Sequence, residues 1–195
     1  MSISNAGMID TEVQKSGEIV LSGGIILYPT DTIWGIGCDA TNLEAVQKIY
    51  DIKQRDDSKS MLVLVNGVVM LKQYLSQLPS QALELIRKAE KPTTIIYPGA
   101  RNLASNLLAE DGSVGIRITS DPFCQKLNKI TGRPIVSTSA NISGEPSPSL
   151  FSEIPTQIRN QVDYIVDWRQ DETRPSEPSS LIKLETGGGI TILRP

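Results

Sequence analysis

The sequence predicts one α/β domain built on a mixed β-sheet. Short β-branched runs are interleaved with segments of helical apolar spacing, so both element types are expected. Strictly repeated β-α-β units are not sustained, which argues against a doubly wound parallel sheet. The chain has 195 residues, 39% of them hydrophobic and spread along its length, enough for a core without cross-links.

The elements follow in order. Ile9 to Leu21 carries apolar residues at loose helical spacing and stops at Ser22-Gly23-Gly24, a glycine helix stop. Ile25 to Tyr28 reads as a buried strand ended by Pro29, with Pro29 to Thr32 a loop at its C-terminal end. Asn42 is placed to cap a helix over Leu43 to Ile52, whose stripe is Ala45, Val46, Ile49 and Tyr50. Lys53 to Asp57 is a charged turn, Met61 to Val65 a strand and Gly67 to Leu75 helical. A helix over Pro79 to Lys88 has proline in its first turn. Strands are expected at Thr93 to Tyr97 and Val114 to Ile118. A helix from Phe123 to Ile130 is opened by Asp121-Pro122 and closed by Gly132. Further strands fall at Ile135 to Thr138, Tyr164 to Val166, Ser180 to Leu184 and Ile190 to Leu193. Gln170 to Pro178, polar and proline-rich, reads as a mobile surface loop.

Composition excludes several kinds of chemistry. Histidine is absent, which removes Ser-His-Asp and Cys-His catalysis, HExxH zinc sites and any histidine base. Cys38 and Cys124 form no CxxC pair and read as buried thiols. A net charge of −3 argues against generic nucleic-acid binding, although a local basic patch stays open. The first ten residues lack the pattern of a signal peptide, and no apolar run approaches the roughly 18 residues of a membrane span. A cytoplasmic setting is expected.

Gly35-Ile36-Gly37-Cys38-Asp39-Ala40 matches a dinucleotide fingerprint, but Asp31 to Trp34 intervenes after the strand and the next helix begins later. A chance match is the better reading. Lys53-Gln54-Arg55, with Lys59 following, reads either as a solvated helix end or as an anion cradle. Ser137-Thr138-Ser139-Ala140-Asn141-Ile142-Ser143-Gly144 reads equally as a turn-rich loop or as a hydroxyl surface at a strand end. Arg117 lies inside a strand, where pointing to solvent is the default and pairing with an anion the alternative. Tyr28, Trp34 and Tyr97 read as core before adenine stackers.

The order of these blocks carries a resemblance. Tyr28 to Gly37 resembles the YPTET-x-[YFW]-G-[LI]-G opening of the YrdC/TsaC family, and Lys53-Gln54-Arg55 its KxR. Ser113 to Arg117 is similar to its TVAVR segment, and Ser139 to Gly144 to its SAN-x-SG. Ser179 to Ile182 and Leu193-Arg194-Pro195 resemble its closing strands. The match runs from about Gly17 to Pro195.

The resemblance implies a twisted open sheet bordering a deep, positively charged cavity. It implies an L-threonylcarbamoyladenylate synthase acting on L-threonine, bicarbonate or CO2, and ATP, with Mg2+ expected on the triphosphate and no dedicated metal ligand. It implies a functional link to a transferase of the TsaD/TsaB/TsaE type that modifies tRNA. Carried over residue by residue, Lys53, Arg55, Ser139 and Asn141 form the catalytic set. With them, Lys59, Ser113, Ser147 and Arg194 form the ATP site. Thr32, Arg117, Ser137 and Ser179 are assigned to threonine. Asp56 stands where the family has proline, Leu64 where it has a threonine-contacting histidine, and Ile118-Thr119 where it has x-Pro. With the chain ending at Pro195, the short single-domain form is expected. The alternative function is double-stranded RNA binding or ribosome maturation on the same fold, as in a YciO-like paralogue, with tRNA or double-stranded RNA on the concave face.

Overall fold

Helix α1 (Asn5–Leu21) ends at Gly23, whose φ of 81° is left-handed backbone that glycine adopts without strain. The structure, a computed structural model, describes residues 5–54, 61–185 and 187–195. Helix α2 (Leu43–Lys53) starts where Asn42 accepts from the Ala45 N–H at 3.0 Å, as the capping signal predicts. Helix α5 (Pro122–Thr131) is capped by Asp121 and closed by left-handed Gly132. Helices α3 (Val68–Leu71), α4 (Ser80–Lys88) and α6 (Thr156–Arg159) are shorter. Pro79 sits at the N-cap of α4 rather than inside its first turn.

Among the described residues nine strands form one sheet. They are β1 (Ile26–Tyr28), β2 (Gly35–Gly37), β3 (Leu62–Val65), β4 (Thr93–Tyr97), β5 (Val114–Ile118), β6 (Ile135–Ser139), β7 (Tyr164–Ile165), β8 (Ser180–Leu184) and β9 (Ile190–Arg194). Their order is β7-β1-β2-β6-β3-β5-β4-β8-β9. The β1–β7, β3–β5 and β4–β8 pairs are parallel and the others antiparallel, so the sheet is mixed, as the sequence predicts.

Strand β2 was not predicted. Its Gly-Ile-Gly lacks the β-branched signature, and the reason is crowding. A Cβ on Gly37 would collide with the Val136 carbonyl oxygen and lie 2.6 Å from the Tyr28 ring. Glycine lets β1 and β6 approach this close, while Tyr28 donates its hydroxyl to Val136 O at 3.0 Å. The apparent fingerprint is therefore a central strand and not a phosphate turn.

Alternation along the strands sorts residues onto two faces. On one face Val63, Val65, Ile95, Tyr97, Val114, Ile116 and Val136 join side chains of α2, α3 and α6 in the larger core. On the other, Ile26, Tyr28, Leu64 and Ile135 pack with Ile9, Val13, Phe123 and Leu127 of α1 and α5. That second helical layer covers only part of the sheet. Where it stops, Leu62, Thr94, Ile96, Gly115 and Arg117 line open space.

Candidate functional site

The uncovered stretch of sheet is the floor of a cavity of ≈ 240 Å³. In register, Leu62 pairs with Ser137, and Ile96 with Gly115, giving a floor that changes from hydroxyl to apolar across the strands. A glycine in a central strand gives up packing, and it often marks a close approach by a ligand. Here a Cβ on Gly115 would touch Thr94 Cγ2 at 3.3 Å. One wall is the loop after β1, with Thr32, Ile33 and Trp34. The rest comes from Ser139 and Ser147, and from Pro178, Ser179 and Arg194.

Thr32, Arg117, Ser137, Ser139, Ser147, Ser179 and Arg194, all expected from the sequence, meet in this one cavity. Arg117 corrects the solvent-facing default: its side chain is 2% exposed. Nη2 lies 3.0 Å from Asp31 Oδ1 as an ion pair, outside hydrogen-bond alignment, and donates to Thr32 Oγ1 at 3.1 Å. Asp31 Oδ2 accepts from Thr119 Oγ1 and Ser120 N. A guanidinium this deep needs such partners, because an uncompensated buried charge is strongly unfavourable.

Proton counting orients the hydroxyls. Thr30 Oγ1 donates to Ile33 O at 2.9 Å and has no second proton. The 2.9 Å contact between the two threonines is therefore donated by Thr32. A relay runs Arg117, Thr32, Thr30, Ile33 O, each member polarising the next. Thr32 faces the cavity as an acceptor only. Across the cavity Thr94 Oγ1 and Ser179 Oγ share a bond of 2.8 Å, and Arg194 Nε donates to Ser179 O at 2.7 Å.

Three expected residues do not line the cavity. Ser113 is buried, and its N–H donates to Asp111 Oδ1 at 3.0 Å. Its bonds and Lys183 hold the Asp111 carboxyl down at about 2. Asn141 uses both amide protons on loop carbonyls, Ile142 O at 3.0 Å and Glu145 O at 2.7 Å. Lys53 is 1% exposed, with its ammonium on the carbonyls of Ser139 and Asn141. Arg55, Asp56 and Lys59 lie outside the described residues. Leu64, at the family's histidine position, is fully buried beneath α5.

Burial pushes the thiols of Cys38 and Cys124 and the phenol of Tyr28 well up, so none offers an anion near neutral pH. Trp34 belongs to both core and cavity wall, its ring 4.8 Å from that of Phe151. Tyr28 and Tyr97 are core. The floor residues Leu62, Thr94, Ile96, Gly115 and Leu181 were missed by sequence reasoning. Alternation gives their face, but not that the face is uncovered. Among the described residues no group of three or more His, Cys, Asp or Glu could hold a metal, and no helix is long and apolar enough to cross a membrane. The segment between Arg169 and Ser179 has no regular element. It is pinned at its start by Arg169, which reaches Asp121 Oδ2 at 2.7 Å, Glu172 Oε1 at 2.6 Å and Thr30 O at 3.2 Å.

Comparison with known proteins agrees with this architecture. The Sua5/YciO/YrdC family model, described as "Telomere recombination", matches residues 18–195. A threonylcarbamoyl-AMP synthase of Acinetobacter baumannii is 30% identical, over 96% of this chain and 100% of that protein. YciO of E. coli superposes with a TM-score of 0.81 at 26% identity, covering 95% of this chain and 89% of that one. P. abyssi Sua5, crystallised with L-threonine, superposes with a TM-score of 0.86 at 24% identity, and this chain spans 55% of its length. With the family model covering most of the sequence and a full-length relative alongside it, the chain belongs to the Sua5/YciO/YrdC family.

Proposed function

We propose that this protein is a threonylcarbamoyl-AMP synthase. The observation that carries the reading is the convergence of Thr32, Arg117, Ser137, Ser139, Ser147, Ser179 and Arg194 on one cavity. The naming of a full-length relative as such a synthase supports it.

In this reading threonine's carboxylate approaches Arg117, whose Nε has no hydrogen-bond partner among the described residues. Thr32, an acceptor, accepts a hydrogen bond from the substrate's amine or hydroxyl. The amine captures bicarbonate as a carbamate with loss of water. A carbamate oxygen then attacks the α-phosphorus of ATP and pyrophosphate leaves. No histidine or covalent nucleophile is needed, because the work is orientation and neutralisation of developing charge. Ser139, Ser147 and Arg194 line the wall assigned to the nucleotide, with Arg55 and Lys59 as further phosphate contacts, and magnesium enters as part of the MgATP substrate. The apolar strip of Leu62, Ile96, Gly115 and Leu181 suits the uncharged parts of the ligands. The product would pass to a transferase of the TsaD/TsaB/TsaE type for tRNA modification. The chain acts as one domain in a cytoplasmic setting. No observation favours the RNA-binding alternative: the cavity is walled chiefly by hydroxyls. Mass spectrometry of a reaction with ATP, L-threonine and bicarbonate tests the proposal. It predicts an ion of threonylcarbamoyl-AMP that vanishes when bicarbonate is removed; AMP without that adduct would refute it.

A further inference from the structure

Lys53 combines three features. It is 1% exposed, it closes α2, and it does not line the cavity that its motif partner Ser139 lines. Its ammonium donates to the carbonyls of Ser139 and Asn141, the latter at 2.7 Å. Its own carbonyl accepts from Ser143 N at 2.8 Å. The end of α2 thus grips both ends of the turn that follows β6. Within that turn Asn141 N bonds back to Ser139 O at 2.9 Å, and the Asn141 side chain closes the loop onto Ile142 and Glu145.

We infer that Lys53 is a positioning residue, acting on the nucleotide through the Ser139–Ser143 turn and not as a phosphate ligand. A lysine head has three protons. Donating to two backbone carbonyls fixes its place under the turn, because leaving a buried ammonium without such partners is strongly unfavourable. Its positive charge also stabilises the cluster of carbonyl oxygens that the tight turn draws together. Withdrawing it lets those carbonyls repel and rotates Ser139 away from the cavity. The KxR motif then divides its labour: the lysine builds the wall from behind, and any direct phosphate contact falls to its other cation.

Two experiments test this, and the first uses the unmodified protein. Its lysines are acetylated with a water-soluble active ester in the absence of ATP, and each site is followed by peptide mass spectrometry. A clamp accessible only through local opening is expected to react about tenfold or more slower than exposed Lys129. Labelling of Lys53 as rapid as that of Lys129 overturns the inference.

The second experiment rests on the synthase reading. K53Q, S139A and the double variant are compared by kcat/KM for threonine-dependent pyrophosphate release. If Lys53 acts through Ser139, the double variant falls within about threefold of the worse single variant. Losses that multiply indicate separate contacts and overturn it. General destabilisation would not produce non-additivity confined to this pair. If the wild type releases no threonine-dependent pyrophosphate, the synthase reading fails, and the labelling result still decides the role of Lys53.

Discussion

Arg117 donates to Thr32 Oγ1 at 3.1 Å, joining a central strand to the loop that walls the cavity. Both residues are buried, and each limits what the other can do. Thr32→Val removes the acceptor and is expected to cost about 1–2 kcal/mol of stability. It should also raise the KM for threonine more than that for ATP, whereas Thr32→Ser keeps the relay and should be near wild type. Arg117→Met leaves Asp31 without its cation and should cost about 3 kcal/mol and abolish the response to threonine. Denaturant unfolding and substrate-varied kinetics check each outcome.

Leu64 gives the opposite expectation. It pairs in register with Arg117, yet its side chain sits in the layer under α5. Leu64→Ala should lose about 2–5 kcal/mol through the cavity it leaves, with the threonine KM of the folded enzyme unchanged. Chemical denaturation alongside steady-state kinetics separates the two effects.

Gly37 is a packing requirement with no ligand attached. Gly37→Ala should destabilise by about 1–3 kcal/mol, because the added methyl meets backbone that cannot move aside cheaply. Its neighbour on the cavity wall, Gly35, meets Ser137 Oγ at 3.0 Å instead. Gly35→Ala is therefore expected to alter activity more than stability. Thermal unfolding of both variants, with activity measured below the transition, makes the comparison.

Glu12 sets a pH dependence far from the cavity. Burial alone would raise its pKa, but bonds from Tyr164 Oη at 2.6 Å and Asp167 N at 2.8 Å, together with Lys15, lower it overall. Burial and Glu12 in turn push Tyr164 up to about 12. A folded-state pKa below the unfolded value gives stability that is present above the unfolded pKa and lost as pH falls through the folded one. The stability gap between wild type and Glu12→Gln should therefore shrink on acidification through the carboxylate range. Urea unfolding at neutral and acid pH measures it, and a gap that widens would contradict the assignment.

How much of this was legible depends on where the signal resides. Elements with their own punctuation were readable: Asn42 opening α2, Asp121 and Gly132 bracketing α5, and the β-rich runs of β4, β5 and β8. Strand β2 was not, because its glycines answer to the Tyr28 ring and the β6 backbone, which are distant in sequence. The short turns at Ser105–Leu107 and Phe151–Glu153 likewise lack internal periodicity. At the site, the hydroxyl and arginine wall followed from motif order. The apolar floor did not, since it depends on where the α1 and α5 layer ends. Lys53 shows a further limit: the motif singles out the residue without saying that its ammonium is turned onto the Ser139 and Asn141 carbonyls.

Pyrophosphate release from the purified protein supplied with MgATP and bicarbonate, with and without L-threonine, decides whether it is a threonylcarbamoyl-AMP synthase. Such a synthase releases pyrophosphate only with threonine, and Arg117→Met should lower that release by about 100-fold or more, the scale of losing a charge-paired substrate contact. Release that is absent, or indifferent to threonine, would contradict that function.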